Sequence, residues 1–322
     1  MTSKLLGGLL ATFFLVAVSS TDGQQLTKNP RVGYLGGDTA RKEAFRQGLR
    51  DLGYAEGKNI VIEWRESFGK LDRLRELAAE LVNLKVDVIV TGGPIVTRVA
   101  KEATVTVPIV MTQDIDPVAS GFVTSLARPG GNITGLATLA PETSGKRLEL
   151  LKEIIPKLSR VAVLGTSTTP GHAQLLKETE LAAAAVGIRY QYVDVLDPKD
   201  LESAFRAATK WRADAVLVLQ SAILFSQRVH VVTLAVKRRL PAIYGSSEYA
   251  NVGGLMAYGV NFLDLYRRAA TYVDKILKGR KPADLPVEQP IKFEFIINLK
   301  AAKQIDLTIP PNVLVRADRV LR

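Results

Sequence analysis

Residues able to do chemistry are few in this chain, and they cluster. There are two histidines, His172 and His230, and no cysteine, which leaves few general bases and no thiolate to act as nucleophile or metal ligand. His230 falls in an apolar-rich helical stretch and reads as a packed or surface side chain, whereas His172 starts a helix beside polar loops, and its contact with a ligand stays open. No serine sits in a Gly-x-Ser-x-Gly elbow, and the Gly36-Gly37 turn is neither a dinucleotide fingerprint nor a phosphate loop closing in Gly-Lys-Ser/Thr. The expectation is a protein without catalysis, cofactor or metal. What remains is a set of six loops rich in Gly, Ser, Thr and acidic residues, and it yields the candidate ligand set Gly37, Asp38, Thr91, Gly92, Gly93, Asp114, Asp116, Thr166, Ser167, Thr169, Gln220, Ser221, Ser246, Ser247 and Glu248. Exposed amides and hydroxyls suit a carboxylate, and Asp38, Asp114, Asp116 and Glu248 offer acceptors to an ammonium. None of the six loops contains Lys or Arg, so a multiply charged anion would lack countercharge; the expected solute is a zwitterion or an amine. Tyr34, Phe122, Tyr244 and Tyr249 are available to cover an apolar side. Asp38 could equally serve only as a helix cap, Asp116 before Pro117 as a turn residue, and Tyr34 as core.

These loops are named by the elements that must carry them. Short Val/Ile-rich runs alternate with amphipathic stretches from Arg31 onward, the pattern of βα units on a parallel sheet. Strands are expected at 32–35, 60–64, 86–90, 109–111 and 133–136, with helices at 39–52 and along Leu71, Leu74, Leu77, Leu81 and Leu84, and a further helix opened by Pro94. The second half repeats the order. Arg31-Val32-Gly33-Tyr34-Leu35-Gly36 returns as Arg160-Val161-Ala162-Val163-Leu164-Gly165, Val86–Val90 as Ala213–Leu217, and Pro108–Met111 as Pro241–Tyr244. Three pairs in register predict an α/β fold of two similar, doubly wound parallel-sheet lobes. Open sheets of this kind bind ligands beyond the carboxyl ends of their strands, which is where the six loops fall. A helix at 262–277, the proline-punctuated stretch 281–290 and a strand at 293–297 lie outside the repeat and predict a chain that crosses back between lobes through a multi-strand hinge. The expected division is 30–137 plus part of 262–322 for the N-terminal lobe, and 138–261 plus part of 280–322 for the C-terminal lobe.

Lys4 precedes an apolar run from Leu5 to Val18 that ends in small and polar residues, the order of a secretory leader covering residues 1–25 with cleavage near 19–25. As a helix that run would span about 20 Å, short of the roughly 30 Å hydrocarbon layer. The lack of cysteine also removes a disulfide framework and the lipid-acceptor residue of a bacterial lipoprotein. A formal charge of +11 raises the question of nucleic acid, but basic residues are scattered beside acids, as in Arg73-Leu74-Arg75-Glu76, and no long basic block occurs.

Several stretches resemble one family, the substrate-binding proteins of bacterial ABC importers, in the branch of tryptophan- and tyrosine-type binders. They are Ala44–Leu49 with Leu52-Gly53-Tyr54, Asp116-Pro117-Val118 running through Ser125–Gly135, Tyr272–Gly279 and Asp284–Pro290. The Ala127–Gly135 run is long and unusual, and Arg128 within it could anchor the loop or face the solute. The resemblance implies a type I periplasmic-binding-protein fold that captures a small solute by lobe closure. It also implies an ABC permease with its ATPase as partners. The leader without cysteine departs from lipid-anchored relatives and predicts a soluble periplasmic protein, expected as a monomer, and the scattered charge predicts no nucleic acid partner. A solute-presenting partner of a membrane signalling protein is the alternative. A sugar-responsive repressor on the same body would need a DNA-binding headpiece where the leader lies.

Overall fold

The computed structural model describes residues 29–36, 38–67, 72–138 and 140–322. The expected leader at 1–25 and the candidate Gly37 lie outside the described residues. Two sheets organise the chain. The first is built from β1 (Arg31–Leu35), α1 (Thr39–Asp51), β2 (Val61–Arg65), α2 (Arg73–Asn83), β3 (Val88–Thr91), α3 (Pro94–Ala103), β4 (Ile109–Asp114) and β5 (Ile133–Ala137). Its strand order is β2-β1-β3-β4-β5, parallel throughout. β3 and β4 are buried along their whole length, as strands covered on both faces must be.

The second unit opens with α4 (Ala140–Ile154), β6 (Arg160–Gly165), α5 (His172–Ala185), β7 (Arg189–Asp194), α6 (Leu201–Lys210) and β8 (Ala215–Val218). It continues through α7 (Ala222–Ser226), α8 (Arg228–Lys237), β9 (Ala242–Tyr244), α9 (Ser247–Asn251) and β10 (Met256–Val260). The chain then runs through α10 (Phe262–Leu277), β11 (Phe293–Asn298), α11 (Leu299–Gln304), α12 (Pro311–Leu314) and β12 (Arg319–Leu321). This sheet has the order β12-β11-β10-β9-β8-β6-β7. Its β7-β6-β8-β9-β10 portion reproduces the order of the first sheet, so β6, β8 and β9 stand where β1, β3 and β4 stand. The duplication reaches side chains. Asp87 accepts from the Arg31 amide at 2.7 Å, and Asp214 accepts from the Arg160 amide at 2.8 Å, each closing the start of the lobe's first strand.

The sheet is not parallel throughout: β11 runs antiparallel to β10, because the chain enters it by a return crossing and not by a βα unit. The chain passes between lobes three times. It leaves β5 for α4, which packs on α5 and β10; it leaves β10 for α10, which packs on α1 and β4; and it returns through Glu288, bridged to Leu136 of β5, into β11. Helix α10 lies close against α1 at Gly48, where a Cβ would stand 2.2 Å from the Arg267 carbonyl oxygen, so only glycine permits the approach. Phe45, Leu49, Tyr266, Ala269 and Val273 fill the resulting core with the buried face of β1.

Candidate functional site

The carboxyl ends of both sheets face one another across a cleft of about 460 Å³, walled by both lobes and by Phe262 at the β10–α10 crossing. From the first lobe, Gly36 and Asp38 after β1, Gly92 and Gly93 after β3, and Gln113 at the end of β4 reach the wall. From the second, Thr169, Gln220, Ser221 and Ser246 do so. Asp38 both faces the cleft and caps α1, accepting from the Arg41 amide at 3.0 Å. Gln220 donates to the Gln113 carbonyl at 3.4 Å and accepts from Thr138 at 3.3 Å, which ties the two lobes beneath the cleft.

Other expected site residues lie behind the wall. Thr91 shares a 2.8 Å hydrogen bond with Thr97, whose hydroxyl also bonds Asp114 Oδ2 at 2.8 Å. Asp114 is fully buried, its Oδ1 has no partner among the described residues, and burial pushes its carboxyl up to about 7. Asp116 accepts from the Ala119 amide at 2.9 Å and serves as a turn residue. Thr166 bonds Val195 and Ser221, and Ser167 bonds Asp194. Ser247 opens α9 without reaching the wall. Arg128 is exposed and absent from the cleft wall, and its backbone is held by Thr124 and Ser125. His172 is buried beside Tyr192 with no partner for either ring nitrogen among the described residues, and burial lowers its pKa.

The expectation of a cleft without cations does not hold, because cations reach it from helices outside the six loops. Arg41, in the first turn of α1, is buried and donates to Glu248 at 2.9 Å and to Gln113 at 3.1 Å. Its guanidinium carbon lies 4.0 Å from the Phe225 ring centroid and 4.7 Å from that of Phe262. Burial works against both charges of this pair, but their mutual attraction outweighs it, raising Arg41 and lowering Glu248 from their ordinary values. Glu248 thus gives its Oε1 to Arg41 across the lobes and stands behind the cleft wall, while its buried Oε2 has no partner among the described residues.

Arg147, from α4, has a different setting. Its Nε donates to the Tyr258 carbonyl at 2.7 Å and its Nη2 to Thr143 at 2.9 Å, while Nη1 is buried with no partner among the described residues. Gly245 and Gly259 make room for it: a Cβ at Gly245 would stand 3.0 Å from Nη2, and one at Gly259 3.4 Å. Burial lowers its pKa to about 10, and no carboxylate among the described residues pairs with it. Arg228, at the start of α8, also lines the cleft. The spacing of Arg41 three residues beyond the Asp38 cap could have flagged it, since it must lie in the cleft-facing first turn. Arg147 carried no such signal, because only the crossing of α4 beneath β9 and β10 brings it there.

The apolar wall also differs from expectation. Tyr34 is core, 4.8 Å from Trp64 and 5.4 Å from Phe45, and Phe122 is buried. Tyr244 stacks behind Tyr249 with centroids 4.5 Å apart. Tyr249, Phe225 and Phe262 form the aromatic lining, with Pro94 and Val96 opposite. The whole can grip a carboxylate, cover an apolar body and offer Asp38 to a cation. Among the described residues no cluster of His, Cys, Asp or Glu could hold a metal ion, and no helix is long and apolar enough to cross a membrane.

Residues 36–321 match the family model described as ABC transporter substrate binding protein. A curated relative named tyrosine-binding protein, from Clostridioides difficile, is 26% identical over 95% of this chain and 92% of its own length. A conserved domain protein from Vibrio cholerae superposes with a TM-score of 0.87 at 28% identity, covering 91% of this chain and all of the other. An ABC domain from Streptococcus pneumonia, solved in complex with L-Trp, gives 0.86 at 25% identity with the same coverage.

Proposed function

The chain belongs to the family of ABC transporter substrate-binding proteins, and on that premise we propose that its cleft captures an amino acid with an apolar or aromatic side chain for import. The single observation that carries the reading is Arg147, a buried guanidinium that lines the cleft and whose Nη1 lacks a partner among the described residues. A buried cation left without a counter-charge is costly, and a ligand carboxylate would supply the missing charge and acceptors. Ser221, Ser246 and the Gly92–Gly93 turn complete the polar cradle, Asp38 receives the ammonium, and Phe225, Tyr249 and Phe262 cover the side chain. The names of the tyrosine-binding relative and of the L-Trp complex support the same ligand class.

Capture works by population shift. Only the closed form lets both lobes touch the solute, so ligand favours closure. In this reading residues 1–25 are a cleaved leader. Residues 30–137 with α10 form one lobe and 138–260 with the terminal strands the other. The loaded protein delivers to a permease and its ATPase from the periplasm. Isothermal titration of the chain lacking residues 1–25 against aromatic and aliphatic amino acids, sugars and polyamines tests it. The expected outcome is saturable binding of amino acids at micromolar concentration. Binding of sugars or polyamines with no response to any amino acid would reject the reading.

A further inference from the structure

The charges around the cleft do not balance. Arg41 is answered by Glu248, and Lys42 by Glu66, whose carboxylate also lines the cavity. That leaves two cations of the wall, Arg147 and Arg228, without a carboxylate partner among the described residues, against one acid, Asp38. Arg228 is held in place: Nη1 donates to the Phe225 carbonyl at 3.2 Å, and its guanidinium carbon lies 4.8 Å from the Phe225 centroid. Its Nε is buried and unpartnered. The two arginines approach from different elements, Arg147 from α4 under β9 and β10, Arg228 from the start of α8 beyond the β8–α7 turn. Their surroundings differ: Arg228 lies against the Phe225 ring and carbonyl, whereas Gly245 and Gly259 pack on Arg147.

A zwitterion bound at Arg147 and Asp38 would leave Arg228 unanswered. We propose that Arg228 forms a second anion subsite, so that the preferred solute is an acidic amino acid derivative: one carboxylate for Arg147, one ammonium for Asp38, and a second carboxylate-type group at the far end of an apolar body for Arg228. This rests on the amino acid reading of the cleft and narrows it to solutes of net negative charge. The volume of about 460 Å³ leaves room for a ring with a substituent at its distal end. Phe225 is part of the device, since its ring and carbonyl orient the guanidinium before ligand arrives, which reduces the ordering cost on binding.

Phenylalanine and 4-carboxyphenylalanine differ only by the distal carboxylate, so their affinity ratio reads the subsite. In the unaltered protein, 4-carboxyphenylalanine is expected to bind at least tenfold more tightly than phenylalanine. Arg228→Gln should collapse that ratio to about one, and Arg228→Lys should restore part of it. Arg147→Gln should weaken both ligands while keeping the ratio. A ratio near one in the unaltered protein, or a ratio unaffected by Arg228→Gln, would overturn the second subsite while leaving the amino acid reading standing. Failure of both compounds to bind, with neutral amino acids also inert, would overturn the reading and the subsite together.

Discussion

Two buried arginines in one cleft have opposite fates. Arg41 has a carboxylate, an amide oxygen and two aromatic faces around it, all supplied by the protein. Arg147 has a backbone carbonyl and a hydroxyl, and one of its nitrogens has no acceptor among the described residues. The first arrangement is finished in the absence of solute and joins the lobes; the second is completed only by something that enters. Buried charge that the protein satisfies itself is structure, and buried charge that it leaves unsatisfied marks the place of a ligand.

The largest expected effect comes from erasing the unfinished corner. Arg147→Gln should weaken amino acid binding by about 30-fold or more, from the about 2–5 kcal/mol typical of a buried hydrogen-bonded charge pair losing one partner. The ligand-free protein should melt no lower than the parent. Its folded pKa near 10 lies below the ordinary arginine value, so the unfolded chain binds the proton more tightly and the charge now costs stability at neutral pH.

Glu248→Gln makes the finished corner resemble the unfinished one. Stranding Arg41 in this way should lower stability by about 3 kcal/mol, read by thermal or urea unfolding. Because the Glu248 pKa is depressed in the folded protein, its contribution is present above the ordinary glutamate range and disappears as pH falls through the depressed value. The Gln variant should therefore lack that acid-side loss.

Asp114 tests the comparison with the sign reversed. Its carboxyl titrates near 7 in the fold, so the folded protein binds the proton more tightly, and stability declines as pH rises from about 4 to 7. Asp114→Asn, which keeps an acceptor for Thr97, should gain on the order of 2 kcal/mol relative to the parent at pH 8 but little at pH 4.5. Equal gains at both pH values would mean the group is not held protonated. Smallest is Gly245→Ala, whose Cβ would press the Arg147 head from 3.0 Å. A several-fold loss of affinity with the charge still present would show that position, as well as charge, matters.

Much of the fold was legible because hydrophobic period and duplication are written locally. The first and third strand pairs of the repeat, α10 at 262–277 and the helix opened by Pro94 fall where the pattern puts them. β7 was not legible: its RYQYVD run is half exposed along an edge and lacks the apolar signature of its neighbours. β11 falls where the pattern puts a strand at 293–297, but its antiparallel direction was hidden, since direction follows from the lobe crossing and not from composition.

The site was legible to the level of loops. Gly92, Gly93, Ser221 and Ser246 reach the wall because they follow strand ends. Asp116 and Thr166 follow strand ends as well, yet spend their side chains on a turn and on neighbouring groups. The arginines escaped because helix side chains enter the cleft through tertiary packing, which no local spacing records.

The most direct test of the central claim is a thermal-shift measurement with L-tyrosine and tyramine, which share ring, hydroxyl and amine and differ by the carboxylate. If Arg147 awaits that group, tyrosine raises the melting temperature of the parent, tyramine does not, and Arg147→Gln abolishes the difference. Equal stabilisation by tyramine, or a tyrosine response that survives in Arg147→Gln, would contradict it.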